Sequence, residues 1–347
     1  MPDLIVTNFN RNFTGVSATA AAAIRAQMPR YDLALAGVAL PGGPPPISSA
    51  EARRISRAPP PHRPFTIWHV RRNSEMRAAI WARDMLRLPI RIVFTSAAQR
   101  RHSAFPRWLI ARMDAVIATT EIAATFVPHL RAVVPHGVDC ARFHPAPDRA
   151  AAWAQTGFGG TCGIATIGRI RPEKGSDRFV AAMIKLLPHC PGVTALLIGR
   201  AAKSDQGFLD RLKQQIAAAG LTDRILFPGE VPPDALPALL RALSLVVQLP
   251  RYEGYGMAPL EGMASGVPFV ATDAGYYASF SCDGGCGVIV PEDAPAETAA
   301  AIERLLSAPQ THDAMARAAR EAAQIRFSIE AEAEGIGAVY DALWSNG

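Results

Sequence analysis

The stretch RYEGYGMAPLEGMASGVP, residues 251–268, combines two acids with closely spaced glycines, and this combination suits a polar ligand. Glu253 and Glu261 stand eight positions apart, across a turn that opens into a predicted helix. Gly254 and Gly256 let the backbone approach a ligand closely, and the N–H groups at a helix start bond hydroxyls or phosphates. Two carboxylates beside one helix start can accept from two sets of hydroxyls. A sugar nucleotide has this layout, with sugar hydroxyls, a diphosphate and ribose hydroxyls.

A second group of charged residues lies in GRIRPEKG, residues 168–175, directly after the apolar run GIATIG. Arg169 and Lys174 lie between Gly168 and Gly175, on a predicted loop from a strand to a helix. A helix N-terminus carries roughly half a unit of positive charge, so two added cations predict a diphosphate-binding site. Taken alone, the same residues also fit a solvated basic loop.

Short apolar runs, separated by helix-length segments, predict the elements that position these groups. Strands of this kind are buried on both faces of parallel sheets. The predicted fold class is α/β, with two Rossmann-like, doubly wound parallel-sheet domains in tandem. Ligands of such domains bind beyond the carboxyl ends of the strands, which predicts a site in a cleft between the domains. The predicted strands are LIVTNF, DLALAGVAL, TIWHV, RIVFTS, AVIATT and AVVPHG in the first half, and GIATIG, TALLIG, ILFPG, LVVQL, PFVATD and GVIV in the second.

Length and composition fit two soluble domains. The chain has 347 residues, of which 49% are hydrophobic, and a typical domain has about 150. The segment 144–161, broken by Pro and Gly, predicts a boundary that gives domains at 1–150 and 151–327. No apolar run reaches the roughly 18 residues that a membrane span needs, and residues 1–10 lack the features of a signal peptide. The sequence therefore predicts a cytoplasmic protein, whose five scattered cysteines are reduced thiols without a metal or redox role.

The net charge of +6 hides an unequal distribution along the chain. Residues 1–150 hold 20 Arg and no Lys against 9 acids, giving +11, while residues 151–347 hold 16 basic residues against 21 acids, giving −5. Residues 71–112 alone hold ten arginines and two acids, with aromatic residues among them. Such a stretch suits an anionic membrane surface, where each cation contributes about 1 kcal/mol, or an acidic acceptor. Solvated helix faces with the Trp side chains in the core are the alternative. The candidate acceptor or membrane contacts are Arg71, Arg72, Arg100, Arg101 and Trp108.

Six motifs between residues 133 and 275 resemble those of the retaining glycosyltransferases of family 4, in the same order and with the same spacing. EGYGMAPLE resembles the E-x7-E signature of that family. The other five are VVPHGVDCARFHP, GRIRPEKG, LLIGR, LFPGEV and GMASGVPFVATDAG. One such motif would be weak evidence, whereas six in register identify a family.

The resemblance implies a GT-B fold, in which the second domain holds the donor nucleotide and the first holds mainly the acceptor. It implies that Arg169 and Lys174 bind the donor diphosphate. Glu253 would meet the donor sugar and Glu261 the ribose. A final segment, 328–347, would contain a helix that crosses back to the first domain. The loop FPGEV, with Phe227, Glu230 and Val231, would line the pocket for the base. The other expected donor contacts are Gly168, Asp234, Gly254, Tyr255, Gly256 and Met257.

The chemistry that the resemblance implies is transfer of a sugar from a diphosphate, so negative charge grows on the leaving group. Arg169 and Lys174 would stabilise that charge and are, with Glu253, the predicted catalytic residues. No D-x-D pair occurs in the sequence, which fits a site where protein cations replace a metal ion. Retention arises either from a carboxylate nucleophile or from attack on the face from which the leaving group departs, and the sequence leaves both open.

The first domain departs from the family pattern at two places. Gly15 precedes an Ala-rich helix and resembles the family's donor-facing glycine loop, but it is a single glycine, which equally fits a plain turn. Where the family often has an active-site histidine, after the run RIVFTS, this chain has Ala97 and Ala98. His69 and His102 are the nearby candidates, and each also fits a structural role.

Within the family, the stretch from IWHVRRNSEM to HSAFP resembles bacterial lipopolysaccharide core mannosyltransferases. Those enzymes transfer mannose from GDP-mannose to an acidic inner-core sugar on lipid A. The resemblance implies the same donor, an acidic glycolipid acceptor and peripheral contact with the cytoplasmic face of the inner membrane. Because guanine presents two N–H donors, an acid near LFPGEV, Glu230 or Asp234, would favour GDP over UDP.

Two other functions stay open. One is a family member that uses a UDP-sugar and a soluble acceptor. The other is a nucleic-acid-binding protein, which a pI near 9.3 and the arginines suggest. The sequence has no RNP, KH, zinc-finger or clear helix-turn-helix signature, and its acidic second half would repel phosphates, so we expect no nucleic-acid partner.

Overall fold

The computed structural model describes residues 1–12 and 14–345, and the chain folds into two compact units. Unit 1 is Met1–Gly137 together with the segment that starts at Phe327, and unit 2 is Val138–Arg326. Each unit is built on one six-stranded parallel sheet, which confirms the predicted α/β class.

The units divide at Gly137, earlier in the chain than position 150 suggested from the sequence. The residues that follow belong to unit 2 because a side chain from a much later segment holds their backbone. The Arg320 guanidinium donates to the carbonyl oxygens of Cys140 and Phe143, at 3.1 and 2.8 Å. A bond over this sequence distance leaves no mark in the Pro and Gly pattern, which records only where secondary structure is interrupted.

The four inner strands of unit 1 are buried at nearly every residue because helices cover the sheet, whereas its two edge strands are only partly buried or exposed. The strands are β1 (Leu4–Asn8), β2 (Leu33–Gly37), β3 (Thr66–Val70), β4 (Ile90–Ser96), β5 (Ala115–Ala118) and β6 (Leu130–Val133). The helices between them are α1 (Gly15–Gln27), α2 (Ser49–Ile55), α3 (Asn73–Ile80), α4 (Ala104–Ile110) and α5 (Glu121–Ala124), and a π-helical turn, Trp81–Met85, continues α3. The sheet order is β2-β1-β3-β4-β5-β6, so the chain changes direction across the sheet between β1 and β3.

Unit 2 repeats the alternation of strands and helices with a longer helical end. Its strands are β7 (Cys162–Ile167), β8 (Val193–Ile198), β9 (Ile225–Gly229), β10 (Leu245–Gln248), β11 (Phe269–Thr272) and β12 (Gly287–Val290). Its helices are α6 (Arg149–Gln155), α7 (Ser176–Leu186), α8 (Gln206–Ala218), α9 (Leu236–Ala242), α10 (Met257–Ala264), α11 (Tyr277–Ser281), α12 (Pro295–Leu306) and α13 (Pro309–Ile325). The sheet order β12-β11-β10-β7-β8-β9 is that of dinucleotide-binding Rossmann domains.

The last helix, α14 (Ile329–Ser345), belongs to unit 1 and completes its core. Tyr340 and Trp344 of this helix pack on Tyr31, with ring centroids 5.7 and 5.8 Å away. Glu332 accepts the Gly137 N–H at 2.8 Å and lies 2.8 Å from a His136 ring nitrogen. The start of the α14 segment and the end of the first segment of unit 1 are therefore bonded to each other. The last two residues of the segment predicted from the sequence, 346 and 347, lie outside the described residues.

Two features of the described residues bear on membranes and metals. None of the helices in the described ranges is both long enough and apolar enough to span a bilayer. Within the same residues, no three His, Cys, Asp or Glu side chains are grouped so that they could hold a metal ion. All five cysteines are free thiols.

Candidate active site

The carboxyl ends of β7 and β10 lie side by side in the middle of the unit 2 sheet, where the Gln248 side chain donates to the Ile167 carbonyl oxygen at 3.0 Å. The strands that follow each of them extend outward in opposite directions, so the loops after β7 and β10 diverge and leave a crevice at this edge. GRIRPEKG follows β7 and PRYEGYG follows β10. The fold thus brings the two charged groups found in the sequence to one place.

Lys174 and Glu253 form an ion pair across this crevice, with Nζ 2.5 Å from Oε2. Their side chains are 24% and 18% exposed, so water screens the pair less than it screens a surface pair. The other carboxylate oxygen of Glu253, Oε1, accepts the Gly254 N–H at 3.0 Å. A ligand that binds Lys174 or Glu253 must therefore weaken or replace the bond between them.

Tyr277, at the start of α11, holds Glu253 from another side. Its side chain is buried, and its hydroxyl is hydrogen-bonded to the Glu253 carboxylate. Burial, together with that carboxylate, raises the pKa of Tyr277 well above its usual value, so the phenol remains a neutral donor. The ring also lies against Gly256, whose φ is +95° and where a Cβ would stand 2.1 Å from a ring carbon. Only glycine fits at position 256, because the backbone there has a positive φ and the Tyr277 ring occupies the space that a side chain would need.

A cavity of about 470 Å³ opens at the carboxyl ends of β7, β8 and β9. Gly168 and Arg169 line it from the loop after β7, and Glu230 and Val231 line it from the loop after β9. The Arg169 guanidinium is exposed and forms no ion pair with the described residues. The cavity therefore joins the loop expected to bind a diphosphate to the loop expected to surround the base.

The two acids expected to read a guanine are placed differently. Glu230 lines the cavity, but its carboxylate lies 3.8 Å from the Arg200 guanidinium and both side chains are mostly exposed. Asp234 is fully exposed, does not line the cavity and lies 3.3 Å from Arg142. Arg142 also donates to the Pro233 carbonyl oxygen at 2.5 Å. Of the two acids, Glu230 is the one that a ligand in the cavity would meet.

Glu261 lies on α10, behind the turn that carries Glu253. Burial raises the pKa of the Glu261 carboxyl to about 7, and the charge of Arg142 partly opposes that shift. A carboxyl group with this pKa changes its charge in the physiological range. Ligand hydroxyls that donate to its ionised form would lower its pKa again.

The remaining expected donor contacts have varied surroundings. The Tyr255 ring is buried and stacks on Tyr276 at 5.3 Å, so its side chain supports the turn, and Met257 begins α10. Phe227 lies within β9, packs against the hydrophobic core of unit 2 and does not line the cavity. Gly15 begins α1 in unit 1, where a Cβ would meet no atom of the described residues within 4 Å.

The two candidate histidines lie in unit 1 and differ in exposure. His69 is fully buried in β3, and its ring nitrogens lie 2.5 Å from the Tyr340 hydroxyl and 2.7 Å from the Thr95 hydroxyl. Burial, aided by a nearby arginine, lowers the pKa of His69 well below 6.5, so it is a neutral core residue. His102 is partly exposed, its Nε2 lies 3.3 Å from the Ser96 hydroxyl, and burial lowers its pKa too.

The five expected acceptor or membrane contacts separate into two groups. Arg71 and Arg72 follow β3 at the carboxyl edge of the unit 1 sheet and are half-buried. Arg100, Arg101 and Trp108 are exposed, Trp108 at 49%. The sequence grouped all five because they share a basic stretch, whereas the fold gives them different environments.

Three residues near this site were not assigned a role from the sequence. Arg142 and Arg200 lie inside motifs, VVPHGVDCARFHP and LLIGR, that could have drawn attention to them. Tyr277 had no local signal, because the pair of tyrosines in AGYYASF fits a core helix equally well. Its role becomes visible only where α11 packs on the turn after β10.

Residues 158–322 match the family model described as glycosyl transferases group 1. Over nearly its whole length the chain is similar to two curated bacterial proteins. It is 41% identical to the lipopolysaccharide core biosynthesis mannosyltransferase LpcC of Rhizobium leguminosarum bv. viciae, covering 99% of this chain and 98% of that protein. It is 39% identical to the lipopolysaccharide core biosynthesis mannosyltransferase LpsB of Rhizobium meliloti strain 1021, covering 98% and 97%.

Among solved structures, the chain is similar to Alr3699/HepE of Anabaena, crystallised in complex with UDP. The TM-score is 0.83, over 98% of this chain and 100% of that one, with 18% identical residues. This likeness concerns the fold alone, and it confirms the GT-B architecture expected from the sequence.

We expect Glu253→Gln to lower turnover roughly 100-fold, because an electrostatic contact to the reacting sugar is lost. Nucleoside diphosphate affinity should stay equal or increase, since Lys174 loses its competing partner. Calorimetry with GDP and UDP, beside steady-state kinetics, measures both quantities. Glu173→Gln is the matched control, because its carboxylate is exposed and lies 3.6 Å from Arg171. Unchanged turnover, or a collapse of nucleotide affinity, would contradict the role given to the pair.

A second prediction concerns pH, because the pKa of Glu261 is raised from 4.5 to about 7. Between those values the folded protein holds a proton that the unfolded chain has lost, so the free energy of unfolding decreases as the pH rises through this window. Glu261→Gln removes this decrease in the free energy of unfolding. The Tm of the variant minus the Tm of the wild type should therefore grow as the pH rises from about 5 to about 8.

Nucleotide affinity supplies the second measurement for this site. In the wild type it should rise with pH through about 7 as Glu261 ionises, and in Glu261→Gln it should be lower and independent of pH. Asp210→Asn, an exposed acid on α8, is the control. A Tm difference between Glu261→Gln and wild type that stays constant with pH would show that Glu261 is ionised throughout.

Proposed function

The chain belongs to the group 1 glycosyltransferases, and from that membership we propose that it transfers mannose from GDP-mannose, with retention, to an acidic, lipid-linked acceptor of the lipopolysaccharide core type. The observation that carries the proposal is the 41% identity to a lipopolysaccharide core mannosyltransferase over 99% of this chain. Identity of this extent includes unit 1, where we place the acceptor. The reaction type is thus that of the family, and the donor sugar and acceptor are inferred from the relatives.

The proposed donor site is the crevice between the loops after β7 and β10, with the adjoining cavity. Arg169 and Lys174 would bind the diphosphate, and the exposed guanidinium of Arg169 supports this because its charge is not committed to a carboxylate of the described residues. Glu261 would accept from the ribose hydroxyls. Glu230 and Val231 would border the base, together with the backbone around Gly168.

In the proposed reaction the bond from the anomeric carbon to the diphosphate breaks, and an acceptor oxygen forms the new bond. Negative charge develops on the departing phosphate, beside Arg169, Lys174 and the start of α7. Because two protein cations serve this charge, we propose that transfer needs no metal ion. The acceptor proton passes to the leaving phosphate, and GDP departs.

Glu253 is proposed to orient the donor sugar rather than to attack it. Its carboxylate accepts from Gly254 N–H and from Tyr277, and it pairs with Lys174. Hydrogen bonds on both oxygens make a carboxylate a poorer nucleophile and fix its direction. This arrangement supports retention by attack on the face from which the diphosphate leaves.

A basic and aromatic surface of unit 1 supports a peripheral membrane location on the cytoplasmic face. Phe105 and Trp108 of α4 are half exposed and stack on one another, with ring centroids 6.2 Å apart. The Arg112 guanidinium lies 3.8 Å from the Trp108 ring. Arg100, Arg101 and Arg107 are exposed in the same segment. Aromatic side chains with surrounding arginines are typical of helices that lie on anionic lipid.

The donor is tested by offering purified protein GDP-mannose, UDP-glucose and UDP-N-acetylglucosamine with a deacylated, acidic core oligosaccharide, with and without a chelator. We expect transfer from GDP-mannose alone, unaffected by the chelator, with the α-configuration of the donor kept in the product. Arg169→Ala and Lys174→Ala should each reduce kcat/KM by roughly 10- to 100-fold. Transfer from a UDP-sugar would contradict the proposed donor and leave the proposed site intact. Transfer to a soluble sugar phosphate in place of the core would contradict the proposed acceptor.

Membrane contact is tested by flotation with vesicles that contain phosphatidylglycerol. We expect the wild type to float with these vesicles and not with neutral ones, and to be released by high salt. The double change Phe105→Ser and Trp108→Ser should abolish flotation and leave activity on the deacylated acceptor unchanged. Ile325→Ser is the control, because Ile325 is an exposed apolar residue of unit 2. Equal flotation of the double variant would refute this surface.

A further inference from the structure

The sheet of unit 1 has its own switch point, between β1 and β3. After β1 the chain moves to β2 at one edge of the sheet, and from β3 onward it moves strand by strand to the other edge. The connections beyond β1 and β3 therefore diverge, as they do beyond β7 and β10 in unit 2. A ligand of unit 1 is expected at this crevice. The residues that border it include Asn8, at the end of β1, and Arg71 and Arg72, directly after β3.

Protein groups at this crevice bond both terminal nitrogens of the Arg72 guanidinium. Its guanidinium lies 3.0 Å from Glu75 Oε1, donates to Asn8 Oδ1 at 3.0 Å and donates to the Ser17 hydroxyl at 2.9 Å. Glu75 is completely buried and also accepts the backbone N–H groups of Phe9, Arg71 and Arg72. The Glu75 carboxylate thus neutralises the charge of Arg72, and these bonds occupy both carboxylate oxygens.

Arg71 stands beside this network with two buried nitrogens unsatisfied. Its Nε and Nη1 are buried and have no hydrogen-bond partner among the described residues. The charge of Arg71 lowers the pKa of both His69 and Tyr340, so these two side chains lie near it, and both are neutral. A buried guanidinium N–H without an acceptor is costly, and an ordered water, a ligand or an ion usually completes such a group.

We propose that Arg71 binds an oxyanion of the acceptor, a carboxylate or a phosphate, in the crevice beyond β1 and β3. The planar fork of an arginine can hold such a group through two parallel hydrogen bonds. Arg72 then keeps the crevice in shape by tying β1, α1 and α3 together, and it does not contact the ligand. This assignment rests on the proposed function, because it identifies the feature by which unit 1 recognises an acidic acceptor.

Acceptor binding is measured by calorimetry without donor, and transfer is measured by kinetics, for wild type, Arg71→Ala, Arg71→Lys and Arg77→Ala. Arg77 is an exposed arginine of α3 and controls for the loss of one positive charge. The probe is a deacylated inner-core oligosaccharide in three forms: intact, with its sugar acid reduced to the alcohol, and with its phosphates removed. We expect Arg71→Ala to weaken binding of the intact form about 10- to 100-fold and to raise its KM equally.

Arg71→Lys should recover only part of that loss, because it keeps the charge and loses the fork. Both Arg71 variants should bind GDP as tightly as the wild type does. Arg77→Ala should bind the intact oligosaccharide as the wild type does. Removing the recognised oxyanion should weaken wild-type binding to the level of Arg71→Ala and should have no effect on Arg71→Ala itself. Whichever treatment has this effect, reduction or dephosphorylation, identifies the group as a carboxylate or a phosphate.

The inference is overturned if Arg71→Ala loses the same factor with all three forms, since Arg71 would then only support the fold. It is also overturned if the wild type binds all three forms equally or binds none of them. Failure of the proposed donor is a separate result. If GDP-mannose is not used while the intact oligosaccharide still binds through Arg71, the donor assignment fails and the anion site stands.

Discussion

The ion pair between Lys174 and Glu253 joins the loops after β7 and β10, and the geometry of the proposed donor site depends on it. The backbones of these loops also meet. Arg251 N–H donates to the Glu173 carbonyl oxygen at 3.0 Å, and at Gly175 a Cβ would stand 1.8 Å from the Leu249 carbonyl oxygen. The backbone at Gly175 therefore lies too close to Leu249 for a side chain to fit. The charges of Lys174 and Glu253 are thereby held where the diphosphate and the sugar of the proposed donor would meet. Tyr277 and Gly254 prevent the carboxylate from turning away.

The two units have the same arrangement of connections at the switch points of their sheets, but different charged residues beside them. In each sheet the connections diverge at a switch point, and polar residues directly after the strands border the crevice. Unit 2 places acids beside cations there, which suits a ligand with both hydroxyls and phosphates. In unit 1 the buried acid Glu75 is engaged by Arg72 and by backbone N–H groups, so that Arg71 is left with positive charge. The excess of arginine in the first half of the sequence has a specific structural counterpart here.

Much of the fold, and the meeting of the two charged loops at the candidate site, could be predicted from the sequence, because strands and the loops after them are local features. GIATIG and LVVQL predicted β7 and β10 almost to the residue, and adjacent parallel strands then brought Lys174 and Glu253 together. What could not be predicted depends on distant packing. Tyr277 reaches Glu253 only through the placement of α11, and the sequence could not separate Arg71 from Arg72, which differ only in the direction of their side chains.

The bonds from the Glu332 carboxylate to Gly137 and His136 close a unit that is discontinuous in sequence. During synthesis, the six strands of unit 1 emerge long before α14, which buries Ile336 and Tyr340 against them. Unit 1 can therefore complete its core only after all of unit 2 has been made, whereas an N-terminal domain usually folds first. Until α14 is made, unit 1 carries an apolar strip that a chaperone could hold or that could drive aggregation, and loss of α14 would affect the unit that contains β1 to β6.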